Sequence, residues 1–130
     1  MARKGAGGSF INFILIVLLV VLLITLWYNL GSSKAMYPED AKEAIKRQEI
    51  DHVVDVRSDA EWNLGKYPLA IHIPVNTIES ALPQRIPDKK ARILFYCNTT
   101  TRSRAAADLA EQMGYKNVRY LVGTHLNLLD

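Results

Sequence analysis

One unbroken stretch of the sequence joins a strand, a polar loop and a helix. Residues 92–103 read Arg-Ile-Leu-Phe-Tyr-Cys-Asn-Thr-Thr-Thr-Arg-Ser. The apolar run within 92–97 predicts a central strand, because a strand covered on both faces is continuously apolar. The helical spacing that follows predicts a helix over 102–113 with its buried stripe at Ala105, Ala106, Leu109, Ala110 and Met113.

The same alternation of extended and helical patterns fills the rest of the chain after residue 37. Helices are predicted over 38–48, 58–64 and 76–83, strands over 52–56, 70–73 and 118–122, and a helical turn at the end. Ser58 and Glu61 form a capping box, Gly65 stops that helix, Asn76 caps the next and Pro83 ends it. This order predicts an α/β fold with a mainly parallel sheet, helices on both faces and ligands bound beyond the carboxyl ends of the strands.

The N-terminal part of the chain has a different character. After a basic tail over 1–9, residues 10–30 are apolar at 18 of 21 positions and contain no charged residue. A helix of that length reaches about 31 Å, which matches the hydrocarbon core of a bilayer, and Trp27 and Tyr28 suit its interface. We therefore predict one transmembrane helix over 10–30, a linker over 31–37 and a single globular domain over 38–130.

Two alternatives concern this N-terminal segment. A cleaved secretory signal with cleavage before Met36 is the alternative to an anchor, although the apolar run is longer than a signal usually has. Arg3 and Lys4 favour a cytoplasmic N-terminus and an extracytoplasmic domain, whereas Lys34 and Lys42 on the far side favour the reverse. We predict a single-pass membrane protein with its domain on the extracytoplasmic side, with the cytoplasmic side as the alternative.

The composition excludes several classes of protein. The net charge is +3, and Arg3 and Lys4 leave only +1 for the remainder of the chain, where acidic and basic residues are interleaved. That distribution is not typical of a nucleic-acid-binding protein. A single Cys and three scattered His lack the spacing of metal ligands, so the sequence predicts no metal site and no cofactor.

Cys97 lies where the predicted central strand ends. The loop from Asn98 to Arg102 leads into the next helix, so successive backbone N–H groups can surround an anion on the sulfur. A helix N-terminus and the Arg102 guanidinium lower the pKa of a thiol and make it a nucleophile. These features alone allow either a persulfide or a phosphoryl group as the covalent cargo.

Several motifs together resemble the rhodanese-like sulfurtransferase domains. The resemblance runs from Pro38 to Gly123 and includes Pro-Glu-Asp-Ala at 38–41, Val-Asp-Val-Arg at 54–57 with Glu61-Trp62, and Gly-Lys-Tyr-Pro-Leu-Ala-Ile-His-Ile-Pro at 65–74. In that family the catalytic loop runs from a Cys to an Arg five positions later and then to Ser, as in Cys97, Arg102 and Ser103. Dual-specificity phosphatases have one residue more, so the resemblance favours sulfur over phosphate.

The resemblance implies a three-layer α/β/α domain and transfer of sulfane sulfur through a Cys97 persulfide. It implies a small anionic donor such as thiosulfate or a persulfide, and a thiol or cyanide-like acceptor. By the same resemblance Cys97 and Arg102 are the catalytic residues, and the substrate-binding residues are Asn98, Thr99, Thr100, Thr101, Ser103 and Arg104. The alternative is a catalytically weak binding or sulfur-carrier module that acts on a membrane protein partner.

Several individual residues have their own predicted roles. Thr100 stands where the family usually has Gly, and a β-branched residue with positive φ is unusual. Arg104 either adds positive potential at the site or pairs with Asp108. Arg57 is expected to be structural and to pair with Glu61, and Lys66 is expected to be a solvated charge. His52, His72 and His125 are also expected to be structural.

Overall fold

The computed structural model describes residues 7–30 and 34–129. Its first unit is helix α1, Gly7–Leu30. This helix is long and apolar enough to cross a membrane by length and composition, a test that a signal sequence also passes. It begins at Gly7 rather than at Phe10, so it includes the last three residues of the predicted basic tail. Arg3, Lys4 and residues 31–33 lie outside the described part of the chain.

The second unit covers residues 34–130 and holds the α/β domain. Its strands are β1 (Ala35–Met36), β2 (His52–Asp55), β3 (Ala70–His72), β4 (Arg92–Tyr96) and β5 (Asn117–Leu121). Its helices are α2 (Pro38–Lys46), α3 (Asp59–Leu64), α4 (Ile78–Arg85) and α5 (Thr101–Gln112), with 3₁₀ turns at Val75–Thr77 and His125–Leu128.

The five strands form one parallel sheet in the order β1-β5-β4-β2-β3. Strand β4 is central: Phe95 aligns with Val54 of β2 on one side and with Tyr120 of β5 on the other. All strands therefore end at the same edge of the sheet, and Cys97 follows directly after β4 at that edge. The predicted parallel α/β sheet is confirmed.

Both faces of the sheet are covered, so the domain has three layers. Alternate residues of β4 point to opposite faces, which is the period of an extended chain. Ile93, Phe95 and Cys97 pack with residues of α4 and α5, whereas Leu94 and Tyr96 pack with residues of α2 and the last 3₁₀ turn. The sulfur atom thus lies in the layer between β4 and α5.

The structure differs from the sequence-based prediction in several elements. Ala35–Met36 lies in the stretch predicted as a linker but forms β1, which pairs with β5 at the sheet edge. A two-residue strand is too short to have a periodic pattern. Helix α4 continues through Pro83 to Arg85, because burial of Ile78 and Leu82 supports it. Asn76 lies in a 3₁₀ turn and does not cap α4.

The buried face of α5 is also displaced from its predicted position. Ala106 and Ala110 are buried as expected, but Ala105 is exposed, and Ala107 and Ser103 are buried instead. The reason is that α5 also packs against α4, which brings a second side of the helix into the core. The turns at the two ends of α3 agree with the prediction: Ser58 and Glu61 form the capping box, and Gly65 follows the last residue.

Candidate active site

Cys97 is placed by the end of β4 and the start of α5. Strand β4 ends at Tyr96, the loop follows, and α5 begins at Thr101. The Cys97 side chain has no exposed surface. Its sulfur accepts a hydrogen bond from the Ser103 amide at 3.4 Å, and the thiol donates to the Ser103 hydroxyl oxygen at 3.5 Å. That hydroxyl in turn donates to the Thr100 carbonyl oxygen at 2.9 Å.

These contacts favour the thiolate form of Cys97. Burial raises the pKa of the Cys97 thiol, because an apolar surrounding disfavours charge. Contacts with the Ser103 side chain and with the amides of Ser103, Thr99 and Arg102 outweigh burial and lower the pKa of the thiol below its usual value. The Ser103 amide therefore directs one N–H group at the sulfur, and the lowered pKa favours the thiolate, which is the nucleophilic form of Cys97. A ring of N–H groups around a sulfur-bound anion stays a prediction.

Thr100 takes the backbone conformation that glycine adopts freely. Its φ is 70° and its ψ is −31°. The Thr100 hydroxyl oxygen accepts a hydrogen bond from the Gly123 amide at 3.1 Å, and its carbonyl accepts bonds from Ser103 and from the Arg104 amide. These three bonds hold a β-branched residue at positive φ, a conformation that costs about 1–3 kcal/mol.

Arg102 is paired with a carboxylate from another element. Its two terminal nitrogens donate to the two oxygens of Glu61 at 2.6 and 2.9 Å. Asn98 donates to the same carboxylate at 2.5 Å, so Glu61 contacts both ends of the loop. The capping box on Ser58 orients Glu61 on α3. The sequence predicted the capping box but not the ion pair, because its partners are 41 residues apart.

Asp55 and Arg57 form a buried ion pair beside the loop. Arg57 Nη2 lies 2.6 Å from Asp55 Oδ2, and both side chains are almost fully buried. Arg57 also donates to the carbonyl of Gly65 at 2.5 Å, and its guanidinium lies 5.6 Å from the centre of the Tyr96 ring. The expected pairing of Arg57 with Glu61 is therefore wrong. Arg57 pairs instead with Asp55, the last residue of β2, which lies two residues before it.

Comparison with known proteins identifies the family to which this fold belongs. Residues 37–124 match the rhodanese-like domain family. The chain belongs to the rhodanese-like domain family. Among solved structures it is similar to the human single-domain sulfurtransferase, with 25% identity, a TM-score of 0.67, and 75% of this chain and 96% of that chain covered. It is also similar to a rhodanese with anions from E. coli, with 27% identity, a TM-score of 0.55, and 60% and 91% covered.

Curated relatives are longer proteins. The tRNA uridine(34) hydroxylase of Sodalis glossinidius is 32% identical over 98 residues, which are 66% of this chain and 28% of the hydroxylase. The same kind of enzyme from Erwinia tasmaniensis is 31% identical over 74 residues, which cover 21% of its length. The chain therefore spans about a quarter of these relatives and matches only part of each.

The remaining predicted site residues of the rhodanese-like domain lie around the loop. Asn98, Thr99 and Thr101 are exposed, and Thr100 and Arg102 are half-buried. Arg104 is exposed on the first turn of α5. Asp108, its expected partner, instead forms an ion pair with Lys34 at 2.6 Å. The other expected role, positive potential near the site, stays a prediction.

Aromatic and histidine side chains border the rhodanese-like site on the α3 side. The Trp62 ring stacks on His72 at 4.7 Å between centres, and Lys66 Nζ lies 4.2 Å from the Trp62 ring centre. Lys66, expected as a solvated charge, therefore makes a cation–π contact, which only the folded chain brings together. His72 contacts the Arg57 carbonyl at 2.8 Å, which fits a structural histidine.

Proposed function

We propose that this rhodanese-like protein is a membrane-anchored sulfurtransferase that moves sulfane sulfur through a Cys97 persulfide. The observation that carries the proposal is the surrounding of Cys97: the Ser103 amide donates to the buried sulfur at 3.4 Å, and the neighbouring amides of the loop lower the pKa of the thiol. Such donors stabilise a negative charge on the outer sulfur of a persulfide as they stabilise the thiolate. The identity of about one quarter to the human single-domain sulfurtransferase supports the same chemistry.

In the first step Cys97 takes up sulfur by a nucleophilic displacement at the sulfane sulfur of the donor. The Cys97 thiolate attacks the sulfane sulfur of the donor and forms a new S–S bond, while the old S–S bond breaks and its electron pair leaves on the donor fragment. With thiosulfate the leaving group is sulfite, and with a hydropersulfide R–S–S–H it is the thiolate R–S⁻, which takes a proton from water. The amides of Thr99, Arg102 and Ser103 hold the transferred sulfur in the loop.

In the second step the sulfur leaves Cys97, which is now the leaving group instead of the nucleophile. An acceptor thiolate attacks the outer sulfur of Cys97–S–S–H, the acceptor leaves as a hydropersulfide, and the Cys97 thiolate is restored with the electron pair of the broken bond. Cyanide attacks the same sulfur and leaves as thiocyanate. Because the loop lowers the pKa of Cys97, the thiolate is a good leaving group and no separate acid is needed.

A specific observation favours the second candidate function, a sulfur-carrier or binding module that acts on a membrane protein partner. Cys97 is fully buried, and Arg102 is engaged with Glu61 rather than open to a substrate. A module of this kind holds sulfur and releases it only when a partner opens the loop. The two functions differ in turnover, since the enzyme cycles with a small thiol alone.

Intact-mass spectrometry of the full chain in neutral detergent tests the proposal. Wild type and Cys97→Ser are exposed to thiosulfate or to a hydropersulfide, and then to cyanide. The proposal expects wild type alone to gain the mass of one sulfur and to lose it to cyanide. No gain with either donor contradicts it. Loading without turnover in the presence of excess dithiothreitol supports the carrier function instead.

The membrane anchor and its orientation form a separate part of the proposal. Helix α1 supports an anchor by its length and apolar composition, and Arg3 and Lys4 before it favour a cytoplasmic N-terminus. We propose that the domain lies on the extracytoplasmic side. A reporter that is active only outside the cytoplasm, fused after Asp130, should be active in membrane fractions. Activity of the corresponding cytoplasmic reporter contradicts this orientation.

A further inference from the structure

Helix α1 is apolar on every side, but its leucines all lie on one side. Residues 10–28 contain six of them: Leu15, Leu18, Leu19, Leu22, Leu23 and Leu26. At about 100° per residue these six fall within an arc of roughly 140°, which also contains Gly8, Ile11 and Asn12. The opposite side carries Val17, Val20, Val21 and Ile24 instead. We call the side that carries the six leucines and Asn12 the leucine face.

A bilayer does not require this division. Hydrocarbon tails accept leucine, isoleucine and valine alike, because all of these side chains are as apolar as the lipid itself. The leucines also have a regular spacing: Leu15, Leu19, Leu22 and Leu26 follow one another at intervals of four, three and four residues. That is the spacing with which parallel helices interlock their side chains. The leucine face therefore has the form of a surface that packs against another helix.

Asn12 extends this spacing by three residues towards the start of α1 and is polar. Trp27, which suits the interface, lies 15 residues after Asn12, or about 22 Å along the helix. The hydrocarbon core is about 30 Å thick, so Asn12 lies roughly 8 Å inside the other boundary. Among the described residues the Asn12 carboxamide has no hydrogen-bond partner. An unpaired amide in hydrocarbon is costly, and a partner that comes from outside this helix removes that cost.

Thr25, the other polar residue between Phe10 and Trp27, has no such need. Its hydroxyl donates to the Leu22 carbonyl oxygen of the same helix at 2.8 Å. The Asn12 carboxamide has both N–H donors and a carbonyl acceptor, so two such groups that face each other are complementary in charge. Copies of this chain insert in the same orientation and carry Asn12 at the same depth. A second copy therefore supplies the matching group at the matching position.

We infer that two copies of this chain pair in parallel through the leucine faces of their α1 helices, with the two Asn12 carboxamides hydrogen-bonded to each other. This inference rests on the proposed membrane anchor. The leucines provide close packing between the helices, and the Asn12 pair fixes their register, as one buried asparagine does in a coiled coil. Gly8 lies one turn before Asn12 on the same face, and it has open space around its Cα, so the helices can approach closely there.

Disulfide cross-linking tests which face of α1 meets the second copy. The full chain carries Cys97→Ser, which removes its only native thiol, together with either Leu19→Cys on the leucine face or Val17→Cys on the opposite side. Both proteins are placed in phosphatidylcholine vesicles and oxidised with copper phenanthroline. Leu19→Cys should form a covalent dimer at least about fivefold faster than Val17→Cys, because a disulfide needs Cβ atoms that are about 4 Å apart. Equal rates at the two positions, or no dimer with Leu19→Cys, overturn the inference.

The role of Asn12 is tested by resonance energy transfer between copies that carry a donor or an acceptor fluorescent protein after Asp130. Transfer is measured in phosphatidylcholine vesicles over a series of protein-to-lipid ratios. Asn12→Leu should raise the Kd of the dimer about tenfold, since the hydrogen bonds between the helices are lost. Thr25→Val is the matched control and should leave the Kd within about twofold, because its hydroxyl is already bonded within the helix. A Kd for Asn12→Leu equal to that of wild type contradicts the Asn12 pair.

Alkaline carbonate extraction separates this inference from the membrane anchor. If carbonate releases the wild-type chain from membranes, the anchor is wrong and the helix pair is wrong with it. If the chain stays in the membrane and neither cross-linking nor energy transfer detects a dimer, the anchor stands and the helix pair alone is wrong.

Discussion

The Thr100 hydroxyl oxygen accepts a hydrogen bond from the Gly123 amide at 3.1 Å and so ties the Cys97 loop to the segment after β5. Gly123 itself has a φ of 129°, and a Cβ at this position would lie 2.6 Å from the Asn127 side-chain oxygen. Both ends of this contact thus have unusual backbone conformations. The loop is held in place by a neighbouring segment as well as by its own sequence.

Thr100→Val is expected to destabilise the domain. Valine keeps the shape and the backbone strain but leaves the Gly123 amide without its acceptor, which costs about 1–2 kcal/mol of the free energy of unfolding. Thr100→Ser retains the hydroxyl and serves as the matched control, with a stability within about 0.5 kcal/mol of wild type. Urea unfolding of the full chain in detergent measures both, and equal midpoints for the two variants would show that the contact is unimportant.

Ser103→Ala is expected to make Cys97 less reactive near neutral pH. The Ser103 hydroxyl is the largest of the hydrogen bonds that lower the pKa of Cys97, so its removal shifts the pKa upward and reduces the thiolate fraction at pH 7. One hydrogen bond of ordinary strength corresponds to a roughly fivefold slower alkylation by iodoacetamide at that pH. The full pH profile should keep its plateau and move its midpoint to higher pH.

The control for this experiment is Ser80→Ala, the same substitution on the exposed side of α4. It should leave the alkylation profile of Cys97 unchanged. A Ser103→Ala profile that coincides with wild type contradicts the role of the Ser103 side chain in lowering the pKa of Cys97.

Asp55→Asn is expected to be strongly destabilising. It leaves the buried Arg57 charge without its partner, and breaking one side of a buried pair costs about 3–5 kcal/mol. Asp51→Asn is the matched control, because Asp51 makes a similar pair with Arg92 at the exposed edge of the sheet. Chemical unfolding should show a large loss for the first variant and little change for the second. Comparable losses would mean that burial does not govern this pair.

His125 is expected to make the domain less stable in mild acid. Burial, followed by the positive charge of Arg57, lowers the pKa of His125, and its buried Nδ1 has no hydrogen-bond partner among the described residues. The unfolded chain therefore takes up a proton at His125 at a higher pH than the folded chain does. Stability contributed by neutral His125 is present above pH 6.5 and declines as the pH falls below it.

His125→Phe removes this titration and keeps a ring in the same place. Urea unfolding between about pH 7 and pH 5 should show a shallower loss of stability for the variant, with a difference of at most about 1.4 kcal/mol per pH unit for one proton. Parallel curves for the two proteins would place the acid sensitivity elsewhere.

Some of the site could be predicted from local patterns. The apolar run before Cys97 and the helical spacing after it predicted β4, the loop and α5, because each pattern involves residues near one another in the chain. The capping box of Ser58 and Glu61 was predicted for the same reason. Strand β1 has no such local pattern, because two residues give no period. Pro83 predicts the end of a helix that packing extends to Arg85.

The residues alone determined that this chain has an apolar N-terminal segment, a parallel α/β domain and a cysteine at a strand end, since these follow from composition, periodicity and turn chemistry. The tertiary structure decided which charges meet at that strand end. Burial of both sheet faces places β2 beside β4, and this order brings Glu61 to Arg102 across 41 residues. No local pattern encodes this pair, because it depends on which strand ends lie together after the core has packed. Asp55 and Arg57, in contrast, are only two residues apart.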